Sequence, residues 1–309
     1  MLLSSLPRGR AIMAKSTTST GAKPVDQYMR ESIAEERRRL GQKGIDDILN
    51  RGRRWKLGST LKAGGSVIFP HAGLKECGHQ IAAAVHACLD SGAGRFLVIG
   101  VLHALTPELQ EARVRVANGA DVTKEKYCGI QGPGLGGQDN WKNEFSLSNF
   151  IFLWDEEIRR RGIKVPELII RYPYLAGGKP EILPRIRELQ EISKDAVVVS
   201  TADPFHHGIG YGDPPDTALY PERGGLGLAR RRINEGLELL RKGDYWGFNQ
   251  HCVSAKSDGR DAGQVVRYLL GPLEGRILDL TYTDTTEMYS APPPTWVAGA
   301  LIELNRVKE

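Results

Sequence analysis

The chain has 309 residues, 40% of them hydrophobic and 26% charged, with a formal net charge of +5. That length suits one large α/β domain, and no apolar run reaches the roughly 18 residues that a membrane helix needs. Four scattered cysteines, Cys77, Cys88, Cys128 and Cys252, contain no C-x-x-C pair, which speaks against a disulfide framework and for a reducing compartment.

The first 23 residues hold no acid and are rich in Ser, Thr and basic residues. Transit peptides share that composition, but Met13 offers an equally good start. The expectation is an untargeted cytoplasmic protein whose residues 1–24 are a disordered or mis-assigned head. Val25–Ile48 reads as a helix with an acidic-basic surface and a weak apolar stripe, so residues 25–64 are expected to form a helical appendage on a catalytic domain over residues 65–309. Met1–Lys56 carries nine arginines. No stacking aromatics alternate with them, so they read as a solvated surface rather than a nucleic-acid arm.

From Ser66 onward, short apolar runs alternate with helical patterns. Strands are expected at Ser66–Phe69, Arg95–Gly100, Ala112–Asn118, Glu167–Tyr172, Ala196–Ser200, Arg276–Thr283 and Thr295–Leu304. Helices are expected at Gly78–Leu89, Leu147–Arg161, Glu181–Ile192, Leu226–Arg241, Tyr245–Val253 and Asp261–Leu270. The order predicts an α/β domain, with a mixed, largely parallel central sheet flanked by helices on both faces. Tyr127–Trp141 holds five glycines and no apolar periodicity, as a lid or binding loop would. Glu144 then opens a helix.

Four polar residues stand out by position. His71 follows the first expected strand in "VIFPHAG", His103 follows the second in "FLVIGVLHAL", and His206 follows the fifth in "VVVSTADPFHHG". Asp258 lies in "SAKSDGRDAG", just before a helix. One helix joins the first two strands, so they are expected to run parallel and to bring His71 and His103 to one edge. Ligand sites gather beyond the carboxyl ends of such strands. Two histidines and a carboxylate there would make a mononuclear metal site, with a further histidine free for acid–base work. Asp203, three residues before His206, is placed to set its tautomer. Asp258 serves equally well as a helix N-cap, and Asp261 is an alternative carboxylate. His79 and His86, on the intervening helix, read as surface or helix-face residues, because they point away from the strand ends.

Taken in order, "PHAGLKECG", "VIGVLHAL", "EFSLSNF", "VVVSTADPFHHG", "SDGRDAGQVVRYLL" and "TWVAGALIEL" resemble the Memo family, itself related in fold to the catalytic subunit of class III (LigB-type) extradiol dioxygenases. The likeness spans roughly residues 65–304. It implies a site at His71, His103, Asp203, His206 and Asp258. Memo proteins typically carry a cysteine where Asp258 stands, whereas the dioxygenases have a carboxylate. The departure therefore points toward iron(II), with zinc and copper as alternatives. Memo-type proteins usually have a histidine in place of Phe145 and an acid in place of Ser148, so the pocket wall here is more apolar.

The resemblance implies a non-haem iron oxygenase using O2 on a small aromatic or amino-acid-derived substrate, in a fold that often forms homo-oligomers; the composition adds the expectation of no nucleic-acid or membrane partner. His71, His103 and Asp258 would bind the metal, and His206, oriented by Asp203, would act as acid–base. Glu144, Phe145, Arg260, Tyr282 and Tyr289 are the expected substrate-side residues. The alternatives are a non-catalytic metal-binding or signalling protein of the Memo type, and a zinc-dependent hydrolase using the same ligands.

Overall fold

Side chains alternate along the inner strands, and both resulting faces are apolar. Val67, Phe69, Phe96 and Val98 enter one buried cluster, while Ile68, Leu97 and Ile99 enter another. A sheet buried on both faces needs helices on both. The computed structural model describes residues 25–307, and the head expected over residues 1–24 lies outside them. Its helices are α1 (Val25–Gly52), α2 (Gly58–Lys62), α3 (Leu74–Ser91), α4 (Pro107–Ala117), α5 (Ser148–Arg161), α6 (Ile186–Ser193), α7 (Leu226–Lys242), α8 (Tyr245–Ala255) and α9 (Arg260–Leu270). Its strands are β1 (Ser66–Phe69), β2 (Arg95–Ile99), β3 (Gly129–Gln131), β4 (Glu167–Tyr174), β5 (Val197–Thr201), β6 (Phe205–Gly208), β7 (Leu273–Asp284) and β8 (Thr295–Arg306). Residues of α1, α2, α3 and α5 fill the first cluster, and residues of α6, α7 and α9 fill the second. Among the described residues, no helix is long and apolar enough to cross a membrane.

The sheet runs β3-β4-β2-β5-β1-β8, with β6 and β7 also on β8. Its centre, β4-β2-β5-β1, is parallel, and the outer pairings are antiparallel. β8 organises the site end of the sheet. One of its edges pairs with β7 along most of its length, so β1 and β6 must share the other. There Leu304 to Ile302 meet β1, and Ala298 to Thr295 meet β6. β6 therefore prolongs the line of β1, and His206 on β6 lies just beyond the end of β1, where His71 follows.

Three expectations are corrected. Ala112–Asn118 is helical, not a strand. Thr106 caps the helix by accepting from Leu109 N, Pro107 sits in the first turn, and Leu109, Ala112 and Val116 are its buried positions. Those are start signals that the Arg-Val alternation masked. The helix expected from Glu181 begins only at Ile186, because Pro184 has no N–H to give and interrupts it. The segment 127–141 is not wholly loop: Gly129–Gln131 forms β3 against β4. Within α1, Gly41 takes φ 58° and kinks the helix, a conformation that favours glycine.

His79 and His86 are buried rather than outward-facing, because α1 packs over the outer side of α3. His86 Nε2–H donates to Leu49 O at 2.7 Å, and its Nδ1 accepts from Arg161 Nη2 at 3.0 Å. Burial lowers the His86 pKa below 6.5, with the Leu49 carbonyl and Glu157 opposing only in part. The folded protein thus keeps His86 neutral where the unfolded chain protonates it. Its contribution to stability is full above the unfolded pKa and is lost as pH falls toward the folded one. Urea unfolding from about pH 8 to about pH 5 is expected to show a steeper acid loss in the wild type than in His86→Gln. Equal slopes would refute this.

Candidate metal centre

The carboxyl ends of β1, β5 and β2 lie side by side, and the segments leaving them carry the polar residues. Thr201 ends β5, and its hydroxyl donates to Phe69 O at 2.9 Å. Its oxygen is then left to accept from His71 Nδ1, 3.0 Å away. This fixes the His71 tautomer: Nδ1 carries the hydrogen and Nε2 faces the site. His103 is held in the same sense. Its Nδ1 lies 2.9 Å from Glu144 Oε1, and its backbone N–H donates to Glu144 Oε2 at 2.6 Å. Glu144 Oε1 also accepts from Phe145 N and Ser146 N. It therefore lies beneath the imidazole, fully enclosed, rather than opening the helix that begins at Ser148.

Both Nε2 atoms point toward one carboxylate. Asp258 Oδ1 accepts from Asp203 N at 2.8 Å. Oδ2 is buried and makes no well-formed hydrogen bond, with His71 Nε2 at 3.1 Å and His103 Nε2 at 3.8 Å. A buried charged oxygen without a partner costs free energy unless something binds it. His71, His103 and Asp258 offer ligand atoms within 4.8 Å of one another, and so do Asp203, His206 and Asp258. The buried His and Asp groups can thus hold a metal ion, and Asp258 belongs to both sets. Two imidazoles and a carboxylate fit a divalent metal of the iron or zinc type.

Asp261 is not part of this cluster. Its Oδ1 accepts from Ala176 N at 2.8 Å, so Asp258 is the carboxylate that reaches the histidines.

Charge is divided sharply here. Burial opposes ionisation of His71, but Asp203 and Asp258 outweigh it and raise its pKa. Burial likewise opposes the charge on His103, yet Glu144 and Asp258 bring it up to about 10. Glu144 is driven down to about 2, the His103 charge and its hydrogen bonds overcoming burial. The two aspartates are pushed apart. Burial and the neighbouring Asp258 raise Asp203, whereas His71 and His103 overcome burial and hold Asp258 well below the usual carboxylate range. Burial lowers His206, and its Nδ1 has no hydrogen-bond partner. His206 is therefore a neutral base facing an ionised carboxylate.

Asp203 does not hydrogen-bond His206 as its spacing suggested. Oδ1 accepts from His71 N at 3.0 Å, and Oδ2 lies 3.6 Å from His71 Nε2. His206 is placed instead by Tyr211, whose ring meets it edge-on at 4.9 Å. Tyr211 reaches Thr285 Oγ1 through its hydroxyl. His207 points the other way, to Asp213 at 2.7 Å.

The expected substrate-side residues scatter. Phe145 stacks on the His103 ring at 4.5 Å, and Tyr289 packs on Tyr211 at 4.8 Å while remaining exposed. Tyr282 donates to Glu222 and stands beside Trp296. Arg260 forms no outward salt bridge. It is buried beside Arg113, Asp261 and Cys252, because the first turn of α9 turns it under the helix. Thr201 and Tyr211 were missed from sequence. Thr201 stands just past the expected strand Ala196–Ser200, where nothing marked its hydroxyl, and an aromatic in the glycine-rich "GIGYGD" was the only sign of Tyr211.

Glu144→Gln is expected to weaken divalent-metal affinity about 10–100-fold, because it loosens the orientation of His103 while leaving every proposed ligand in place. Chelator competition measures this, and an unchanged affinity would show that His103 is not held for a metal. No protein-family model matches the chain, and no curated protein matches it.

Proposed function

We propose that the protein is a mononuclear non-haem iron(II) oxygenase of the extradiol-dioxygenase/Memo kind, using O2 on a small substrate, either aromatic or derived from an amino acid. The observation that carries this reading is the aim of two tautomer-fixed Nε2 atoms at the unpartnered Oδ2 of Asp258. Iron(II) held by His71, His103 and Asp258 would supply Lewis acidity and open positions for substrate and dioxygen. The chain's own residues do the rest. His206, neutral and unpartnered at Nδ1, takes a proton from a substrate hydroxyl or amine and later returns it. Tyr211 keeps its ring in place. Phe145, flat against His103, makes one wall of the site apolar and limits water there. Burial of both aspartates keeps the local dielectric low, which strengthens each charge interaction.

The test is paramagnetic resonance of protein loaded anaerobically with iron(II) and exposed to nitric oxide. A high-spin iron–nitrosyl signal is expected, retained in His206→Ala. The same variant is expected to lose turnover by about 10²–10⁴-fold, the usual worth of a general acid–base. Absence of the signal in folded protein would sink the iron-oxygenase reading.

A further inference from the structure

Unmet hydrogen bonds gather where α8 packs on both α4 and α9. Arg260 and Asp261 open α9, Arg113 lies on α4, and Asn249 lies on α8, one turn before Cys252. Arg260 and Asp261 are 4% and 3% exposed, and Asn249 is fully enclosed. Their places adjoin. Arg113 Nη2 is 4.0 Å from Asp261 Oδ2, and Arg113, Asp261, Cys252 and Tyr174 surround the Arg260 guanidinium. Gln250 ties α8 to α4 by donating to Ala117 O at 3.0 Å.

Arg113 and Asp261 are partly engaged. Arg113 Nη2 donates to Leu102 O at 3.1 Å, and Asp261 Oδ1 accepts from Ala176 N at 2.8 Å. What stays buried without a partner is a mixed set. Arg113 Nε, Arg260 Nη2 and Asn249 Nδ2 can donate, while Asp261 Oδ2 and Asn249 Oδ1 can accept. Buried polar groups of this kind cost free energy until something binds them. The charges indicate what. Two guanidiniums stand against one carboxylate, and burial pushes the Cys252 thiol and the Tyr174 hydroxyl up, so neither adds a negative charge. The complement is an anion, and guanidinium N–H groups match the oxygens of an oxyanion. The free Asp261 Oδ2 adds a condition: the anion must carry a hydrogen to donate, or two negative oxygens would meet.

We propose that Arg113, Arg260, Asp261 and Asn249 bind a small protonated oxyanion, hydrogen phosphate or hydrogencarbonate. The Arg113 side chain is 19% exposed, so solvent reaches the site from α4. That exposure is small, which favours an inorganic ion over the phosphate group of a larger molecule. The inference is independent of the oxygenase reading, because Asp258 turns to His71 and His103 and takes no part.

Titration calorimetry of the full chain at neutral pH tests this, since phosphate and hydrogencarbonate then keep a hydrogen and sulfate has none. Binding of phosphate or of hydrogencarbonate is expected in the wild type, with sulfate at least about tenfold weaker, the worth of one hydrogen bond to a charged group. The ion that binds names the ligand. Arg260→Met is expected to weaken binding by a similar factor, and an unchanged affinity overturns the proposal. Asp261→Asn keeps a carbonyl for Ala176 N and puts an N–H donor where the free oxygen stood, so it is expected to admit sulfate. No binding of either protonated ion would mean that water meets these groups, and overturns the proposal. Sulfate bound by the wild type as tightly as phosphate does the same. Should Arg260→Met not fold, Asp261→Asn decides: sulfate bound no better than by the wild type refutes the site.

Discussion

Asp258→Asn is expected to lower divalent-metal affinity by more than about a hundredfold while leaving the fold intact, a larger loss than the 10–100-fold of an outer-shell change. The asparagine carbonyl can still accept from Asp203 N, as Asp258 Oδ1 does, so the turn before α9 survives. What disappears is the ionised oxygen on which His71 and His103 converge. The variant also takes away the carboxylate charge that His71 and His103 stabilise, so its metal-free stability is expected to fall too, and affinities are compared in folded protein. In a thermal-shift titration with metal at about a thousand times the wild-type Kd, the wild type gains about 4 kcal/mol and the variant most of that less. Asp261→Asn is the control. Asp261 Oδ1 accepts from Ala176 N, a bond that an asparagine carbonyl keeps, so this change is expected to spare both the fold and metal affinity. Equal affinities for Asp258→Asn and the wild type would remove the metal centre from consideration.

The parts of this site that were legible in sequence are those that ride on regular elements. His71 and His103 follow apolar strands joined by one helix, and the right-handed crossover rule places their strand ends together before any coordinate is known. The structure adds that β5 lies between β1 and β2, which is why Thr201 and Asp203 can reach His71. The capping and ligand readings of Asp258 could not be separated by pattern, since both put an acid before a helix. They separate once Asp203 N is seen on Oδ1, leaving Oδ2 free. β6 carried no signal at all: four residues reading Phe-His-His-Gly have no apolar alternation. They form a strand because β8 runs on past the end of β1 and offers unpaired backbone there. The pairing of His103 with Glu144 across a glycine-rich segment is likewise tertiary. Local propensity holds no information about contacts made that far apart in the chain.

One buried network outside the site was also invisible in sequence, and removing its centre is expected to be the most costly change to the fold. Glu157→Ala is expected to destabilise the protein by about 3–5 kcal/mol, the range for breaking a buried charge pair by deleting one partner. Glu157 sits on α5 with no exposure, and Oε1 receives Arg53 Nη2 at 2.5 Å and Arg161 Nε at 2.7 Å. His86 Nδ1 lies 3.5 Å from the same oxygen, and Arg161 extends on to Asp90 at 2.6 Å. The carboxylate thereby ties the end of α1 to α3 and α5, the helices covering one face of the sheet. Arg53 is half exposed and can turn to water once its partner is gone, which pulls the cost toward the lower end. Arg161 is mostly covered and cannot. Glu157→Gln keeps the shape and one acceptor, so its loss is expected to be smaller than that of alanine. Urea unfolding measures both, and a loss under about 1 kcal/mol for alanine, the range of exposed pairs, would mean that α1 is held by its apolar contacts alone. Because Glu157 lies away from the histidine cluster, metal affinity in the folded variant is expected to match the wild type. These two buried charge clusters, one on the helical face and one at the strand ends, then separate by experiment: the first is expected to set stability and the second metal binding.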